Sequence, residues 1–149
     1  MRTTQSVQWI HSVIGSAFPE LGAASMIQRM LPIRGLFEIA IPVQELARAE
    51  AFYCGVLGFE IGLRDERRRW IFLRAGAGAA MVVLQEQSGF PRYHFAFSVD
   101  ERDLEEAASS LRKSGVSTGD PFFHEWIPGK SLYFEDPDGH DLELFAPTG

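Results

Sequence analysis

The sequence contains the same order of predicted elements twice, and this internal repeat is the feature that most constrains the fold. Hydrophobic periodicity predicts the first copy as a strand at 36–43, a helix at 46–57 and strands at 59–63, 70–74 and 80–85. It predicts the second copy as a strand at 93–99, a helix after Asp100, and strands at 116–123, 131–135 and 141–146. The chain is therefore predicted to be an α+β protein of two βαβββ modules, at about 36–86 and 92–146.

The two copies can be superposed with only small changes of offset, which loops of different length explain. Residues 39–43 lie over 95–99, residues 70–73 over 131–134, and residues 82–84 over 142–144. Because the repeat runs through the chain from the first strand to the last, we expect one domain at 35–147.

Composition narrows the class of protein and its partners. The chain has 149 residues, 46% of them hydrophobic, and a formal net charge of −6, which predicts one soluble globular domain. Nucleic acid is not expected as a partner because phosphate binding needs a basic face. No run approaches the roughly 18 apolar residues that a membrane span needs. The single cysteine, Cys54, cannot form an intrachain disulfide, so we expect a cytoplasmic protein.

Residues 1–34 differ from the rest and are interpreted as an N-terminal extension. Pro32 and Gly35 mark its boundary, and Met26 and Met30 are alternative starts. Whether this segment is part of the working domain, or a docking module for a partner, stays open at this point.

The repeat places polar residues at equivalent positions of the two copies. Glu38 lies over His94, each at the start of an apolar strand, and Val83 lies over Glu143. If the copies pack around a pseudo-two-fold axis, Glu38, His94 and Glu143 converge on one place. Two carboxylates and one imidazole can hold a divalent ion and leave coordination sites open. The alternative is that these residues have no metal-binding role: the glutamates would be exposed to solvent, and the histidine would be hydrogen-bonded within the core.

Alternation along the strands predicts which side chains share a face with these residues. The candidate substrate pocket is apolar, with Arg74 or Lys130 as anion contacts. Its predicted lining residues are Phe72, Met81, Trp126, Tyr133 and Phe145. Core packing is the alternative role for each of these aromatic side chains.

Two motifs carry a resemblance to a known family. They are the stretch Ala51-Phe52-Tyr53 with Leu57-Gly58-Phe59, and Phe134-Glu135-Asp136-Pro137-Asp138-Gly139-His140-Asp141-Leu142-Glu143-Leu144. With the two βαβββ modules, they resemble the vicinal-oxygen-chelate superfamily, also called the glyoxalase, bleomycin-resistance and dioxygenase superfamily. The resemblance covers about residues 36–147.

The resemblance implies an eight-stranded cup-shaped sheet, a homodimer and a divalent metal ion inside each cup. The family's ligands lie on the first, fifth and last strands, which here carry Glu38, His94 and Glu143. Many members have histidine at the first of these positions, and Val83 occupies the place of a fourth ligand in the glyoxalase I branch. Manganese, iron, nickel and zinc all remain candidates for the metal.

A second part of the chain is similar to the fosfomycin-resistance thiol transferases. It comprises Glu125-Trp126 and the strand Ser131-Leu132-Tyr133-Phe134 before the Asp-Pro-Asp-Gly-His turn. This resemblance implies that Ser131 and Tyr133 face the substrate.

The sequence thus favours a metal-dependent enzyme that binds two neighbouring oxygens of a small substrate, with Glu143 able to carry a proton. Isomerase, lyase, thiol transferase and dioxygenase chemistries all fit this hypothesis. The alternative is a metal-free protein of the bleomycin-resistance type, which binds and sequesters a small molecule.

Overall fold

The computed structural model describes residues 35–77 and 80–148, and these residues form two copies of one module. The predicted extension at 1–34 lies outside the described residues. The first module consists of β1 (Glu38–Val43), α1 (Leu46–Gly55), β2 (Glu60–Asp65), β3 (Trp70–Arg74) and β4 (Met81–Glu86). The second consists of β5 (His94–Ser98), a 3-10 turn (Glu101–Asp103), α2 (Leu104–Lys113), β6 (Phe122–His124), β7 (Gly129–Glu135) and β8 (Asp141–Pro147). No helix in the described ranges has the length and apolar character needed to cross a bilayer.

The eight strands are divided equally between two mixed sheets with the same topology. The strand orders are β1-β4-β3-β2 and β5-β8-β7-β6. In each module the first strand pairs in parallel with the last, and the remaining pairs are antiparallel. The α+β class and the two βαβββ modules predicted from the sequence are confirmed.

One face of each sheet packs into a common core, and the other face is open. Ile41 and Leu84 of the first sheet and Leu132 and Leu142 of the second are at most 1% exposed, and both helices contribute to the same cluster. Because side chains alternate along a strand, the neighbouring residues of these strands point to the open faces.

The region before β7 differs from the prediction. A strand was expected at 116–123, but the structure has only the three residues of β6 and an isolated bridge between Thr118 and Phe134. The Thr118 hydroxyl donates to the Tyr133 carbonyl (2.7 Å), and Arg112 donates to the Gly119 carbonyl (2.6 Å), so side chains bind backbone groups here. Pro121 has no N–H to offer a neighbouring strand.

The turn between β7 and β8 joins the two modules. The Tyr53 hydroxyl of α1 donates to Asp136 Oδ2 (2.8 Å), and Arg48 pairs with Asp138 Oδ1 (2.6 Å). His140 is fully buried; its Nε2 donates to the Pro42 carbonyl (2.7 Å) and its Nδ1 accepts from the Tyr93 N–H (3.1 Å). The sequence predicts a turn here. The structure adds that its side chains connect both halves of the fold.

Replacing Tyr53 by phenylalanine should destabilise the protein, because the buried Asp136 carboxylate loses its donor across the module boundary. A hydrogen bond to a charged group contributes about 1.5–3 kcal/mol, and we expect a loss of this size in urea unfolding. Tyr93→Phe is the matched control, since Tyr93 is 43% exposed. Equal effects of the two substitutions would contradict this role of Tyr53.

A second contact fixes the start of α1 from the neighbouring sheet. Glu86 Oε2 accepts from the Leu46 N–H (3.0 Å), and both Glu86 oxygens bind Arg69 (2.9 and 2.8 Å). The Arg69 side chain, together with the Leu46 N–H, lowers the pKa of the Glu86 carboxyl below its usual value. Glu86 thereby satisfies one of the free donors at the helix N-terminus.

The lowered pKa of Glu86 predicts a pH dependence of stability. The ionised carboxylate stabilises the fold above the ordinary glutamate pKa of about 4.3, and this contribution is lost as the pH falls through the lower folded-state pKa. We therefore expect Glu86→Gln to be less stable than wild type at neutral pH and equally stable at low pH. Urea midpoints measured across this range check it, with Glu60→Gln as an exposed control; parallel curves would refute it.

Candidate metal centre

The open face of the second sheet brings together polar side chains from three strands. His94 lies on β5, Glu143 on β8, and Ser131 and Tyr133 on β7. The register pairs Ala96 with Glu143 and Glu143 with Tyr133, so the small side chain of Ala96 leaves space beside the carboxylate. Two of the three predicted metal ligands are therefore neighbours.

Hydrogen bonds fix the orientation of the Glu143 carboxylate. Glu143 is 8% exposed, and its Oε1 accepts a hydrogen bond from the hydroxyl of the fully buried Ser131. Its Oε2 lies 3.2 Å from His94 Nε2, and the His94 side chain is 53% exposed. One oxygen is thus anchored inside the sheet, and the other is presented beside an accessible imidazole.

The separation of these two atoms fits a shared metal ion. Nitrogen and oxygen ligands that bind one ion at about 2.1 Å each lie about 3 Å apart when they are at right angles. An imidazole and a carboxylate also form a donor set that manganese, iron, nickel and zinc accept. His94 and Glu143 can therefore supply two ligands.

Glu38 does not join them within one chain. It lies at the start of β1 in the first sheet, exposed and paired in register with Met81. Across 35–77 and 80–148, no group of three or more His, Cys, Asp or Glu side chains is placed to hold a metal ion. In the same ranges no hydrogen bond and no ion pair of the Glu38 carboxylate is found.

The predicted substrate residues are divided between the two sheets. Trp126, Ser131, Tyr133 and Phe145 belong to the second module, with His94 and Glu143. Phe72, Arg74 and Met81 lie on β3 and β4 of the first sheet, where Arg74 and Met81 are paired and Phe72 pairs with Val83. Each open face thus carries part of the predicted pocket.

Lys130 was predicted to be an anion contact and must be reassigned. It alternates with Ser131 and shares a face with Leu132 and Phe134, which are buried in the core. Its ammonium pairs with Glu101 Oε1 (2.6 Å), which raises the pKa of the lysine. The side chain is therefore neutralised on the helix-bearing side of the sheet and lies outside the candidate site.

Two titratable groups have pKa values that limit what they can do. Partial burial, together with the Glu143 charge, raises the pKa of the Tyr133 hydroxyl, so Tyr133 stays a neutral hydrogen-bonding group. Partial burial also raises the pKa of the Cys54 thiol, with Glu50 acting in the same direction. A protonated thiol is a poor nucleophile, so Cys54 is not a catalytic candidate.

For His124 the sequence allows a proton donor or a ligand but favours a strand-edge histidine in solvent, whereas the structure places it beside the candidate site. It is half-buried at the end of β6, and its Nε2 lies 2.9 Å from Ser131 Oγ. The signal that would have found it is the β6–β7 register, which pairs His124 with Gly129 and Phe122 with Ser131 on one face. The sequence does not reveal that register, because it predicts the strand only from Ser131 whereas β7 begins at Gly129.

Residues 35–144 match the model of the Glyoxalase/Bleomycin resistance protein/Dioxygenase superfamily. The chain belongs to this superfamily, as its motifs and its two modules predicted.

Three related proteins illustrate the range of the superfamily. A solved structure from the mobile metagenome of Halifax Harbour Sewage Outfall, Integron Cassette Protein HFX_CASS4, is 45% identical with a TM-score of 0.73, covering 76% of this chain and 99% of its own. Metallothiol transferase FosB of Staphylococcus haemolyticus is 29% identical over 119 residues, which are 75% of this chain and 83% of FosB. Catechol-2,3-dioxygenase of Bacillus subtilis is 29% identical over 114 residues, which are 71% of this chain but only 39% of the dioxygenase.

A glycine beside the site is required by the position of Phe145. A Cβ at Gly129 would overlap the Phe145 ring at Cζ and lie 2.8 Å from the Ala146 carbonyl oxygen, so Gly129→Ala must displace that ring or the strand. Overpacking of this kind costs about 1–3 kcal/mol, which urea unfolding would measure. Gly119→Ala is the matched control, because none of the described residues has an atom within 4 Å of its Cβ position. A Gly129→Ala protein as stable as the control would show that Phe145 does not depend on this glycine.

Proposed function

We propose that this protein is a divalent-metal-dependent enzyme that acts on a small substrate with two neighbouring oxygen atoms. The observation that carries the proposal is the pair of His94 Nε2 and Glu143 Oε2, 3.2 Å apart on an open face, with Glu143 anchored by Ser131. The name of the related metallothiol transferase FosB supports a metal in this branch of the superfamily.

We further propose that the site is completed in a homodimer, where Glu38 of a second copy supplies the third ligand. The two open faces are complementary: one carries His94 and Glu143, and the other carries the exposed Glu38 carboxylate. A symmetric dimer that joins unlike faces would form two equivalent sites. Phe72, Arg74 and Met81 would then face Tyr133 and Trp126 across the substrate, and Arg74 is the proposed contact for a negatively charged group.

Different residues of the chain would bind the metal ion, orient its ligands and transfer a proton. His94, Glu143 and Glu38 bind the ion, which when bound acts as a Lewis acid for the substrate oxygens. Ser131 keeps Glu143 Oε1 fixed, and the neutral Tyr133 hydroxyl would donate a hydrogen bond to a substrate oxygen. The Glu143 carboxylate, or that of Glu38 once it has detached from the ion, would accept or return a proton. Isomerase, lyase, thiol transferase and dioxygenase reactions are all compatible with this arrangement.

The first test is metal content and affinity of the purified, untagged full chain. We expect about one divalent ion per chain in the wild type, from manganese, iron, nickel or zinc. We expect a loss of binding by 100-fold or more in His94→Ala and Glu143→Gln, each of which removes a ligand. Glu135→Gln on the same sheet is the control, since Glu135 forms a surface ion pair with Arg92. Elemental analysis and calorimetric titration provide the measurements.

A wild-type chain that neither contains nor takes up any of these ions would overturn the metalloenzyme proposal. Binding of a small molecule without metal would then become the function to test.

The second test asks whether the site lies between copies. Glu38→Ala and His94→Ala proteins should each fail to bind the ion, yet mixed dimers of the two should regain about one site per heterodimer. The recovered site combines an unmodified Glu38 from one copy with an unmodified His94 and Glu143 from the other. If mixing after subunit exchange restores nothing, the ligands do not come from two copies.

A further inference from the structure

We propose that His124 is a positioning residue that acts through Ser131 to hold the Glu143 carboxylate ready for the metal. The inference rests on the proposed function, because it assigns a task to a neighbour of the proposed ligands. It is carried by a continuous chain of contacts across three adjacent strands, from β6 through β7 to β8.

The direction of each hydrogen bond follows from the groups involved. The Ser131 hydroxyl has one hydrogen, and the Glu143 carboxylate accepts it at Oε1. Ser131 Oγ can therefore only accept in its 2.9 Å contact with His124, so His124 Nε2 must be the donor. The contact of the Tyr133 hydroxyl with the same nitrogen is longer, at 3.4 Å, and does not compete for this hydrogen.

Aromatic neighbours hold the His124 ring in place. Phe122 packs edge to face against it with ring centroids 4.6 Å apart, and Trp126 does so at 5.5 Å. Such arrangements favour one ring orientation over others. His124 is thus oriented by its own strand and by the turn that follows, independently of Glu143.

The physical effect of His124 is to select one orientation of the Ser131 hydroxyl. A serine hydroxyl rotates freely unless its surroundings fix it. With the His124 N–H directed at one side of Ser131 Oγ, the hydroxyl hydrogen points away from the imidazole and toward Glu143. Without this donor, the hydroxyl can turn to other acceptors, and the buried carboxylate loses part of its orientation.

The consequence can be measured as metal affinity. Removing a group that orients a metal ligand typically weakens binding 10- to 100-fold. We expect His124→Phe to raise the dissociation constant for Mn²⁺ by about 10-fold, because the ring shape is kept and the donor is lost. His124→Gln keeps an N–H donor and should restore part of the affinity. Phe123→Leu is the matched control, an exposed neighbour on the other face of β6.

A double-mutant cycle separates action through Ser131 from a direct role. In a Ser131→Ala background, His124→Phe should cause no further loss of Mn²⁺ affinity, because the intermediary is absent. Additive losses would overturn the proposal, as would a His124→Phe protein that binds Mn²⁺ like the wild type. Complete loss of binding in His124→Phe alone would mean that His124 is itself a ligand, which also overturns it.

A readout that needs no metal keeps the inference separate from the proposed function. At about pH 8.5, where an ordinary histidine is neutral, ring ¹⁵N shifts report which nitrogen carries the hydrogen. We expect the Nε2–H form of His124 in the wild type and a mixture of forms in Ser131→Ala. The Nδ1–H form in the wild type would refute the hydrogen-bond chain, whether or not the protein binds Mn²⁺. If the wild type does not bind Mn²⁺ but shows the expected tautomer, the proposed function fails while the contact between His124 and Ser131 stands.

Discussion

The fold depends on the buried contacts of the turn between the last two strands. Asp136 and His140 are almost completely enclosed, and each bonds to a group in the other module or at the start of β5. Buried polar groups are costly unless they are paired, so these residues define one relative placement of the modules. The β8 strand, which carries Glu143, begins directly after this turn, and the end of β1 is bound by His140. The turn therefore positions strands that carry proposed ligands.

The architecture could be predicted from the sequence because both copies of the repeat carry the same local sequence patterns. Apolar alternation, helical spacing and glycine at helix ends each occur twice, and the two copies agree. The prediction fails where side-chain hydrogen bonds, rather than hydrophobic periodicity, determine the backbone conformation. Between Val116 and Pro121 the Thr118 and Arg112 contacts replace a strand, and no periodicity reveals such contacts. The links from Tyr53 and His140 across the modules are likewise tertiary and leave no trace in local spacing.

At the candidate site, side-chain alternation correctly predicts which residues of one strand share a face, but it does not predict which strands lie next to one another. His94, Glu143, Ser131 and Tyr133 lie on one face of the second sheet, and each of these positions follows from a strand boundary alone. The repeat predicts Glu38 beside them because equivalent positions converge on a two-fold axis, yet superposable modules need not bring their open faces together. Lys130 and His124 depend on the β6–β7 register, and that register is set by a turn whose length the sequence did not reveal.

The two halves of the duplicated fold have diverged in opposite chemical directions. Where the second module has Glu143 and Tyr133 paired across two strands, the first has Val83 and Phe72. A network of hydrogen-bonded groups tolerates little change, because any lost partner leaves another group unsatisfied. An apolar surface can change shape by single substitutions without that penalty. Selection for new substrates would therefore act mainly on apolar positions of the first module such as Phe72 and Val83, whereas the hydrogen-bonded positions of the second module are constrained.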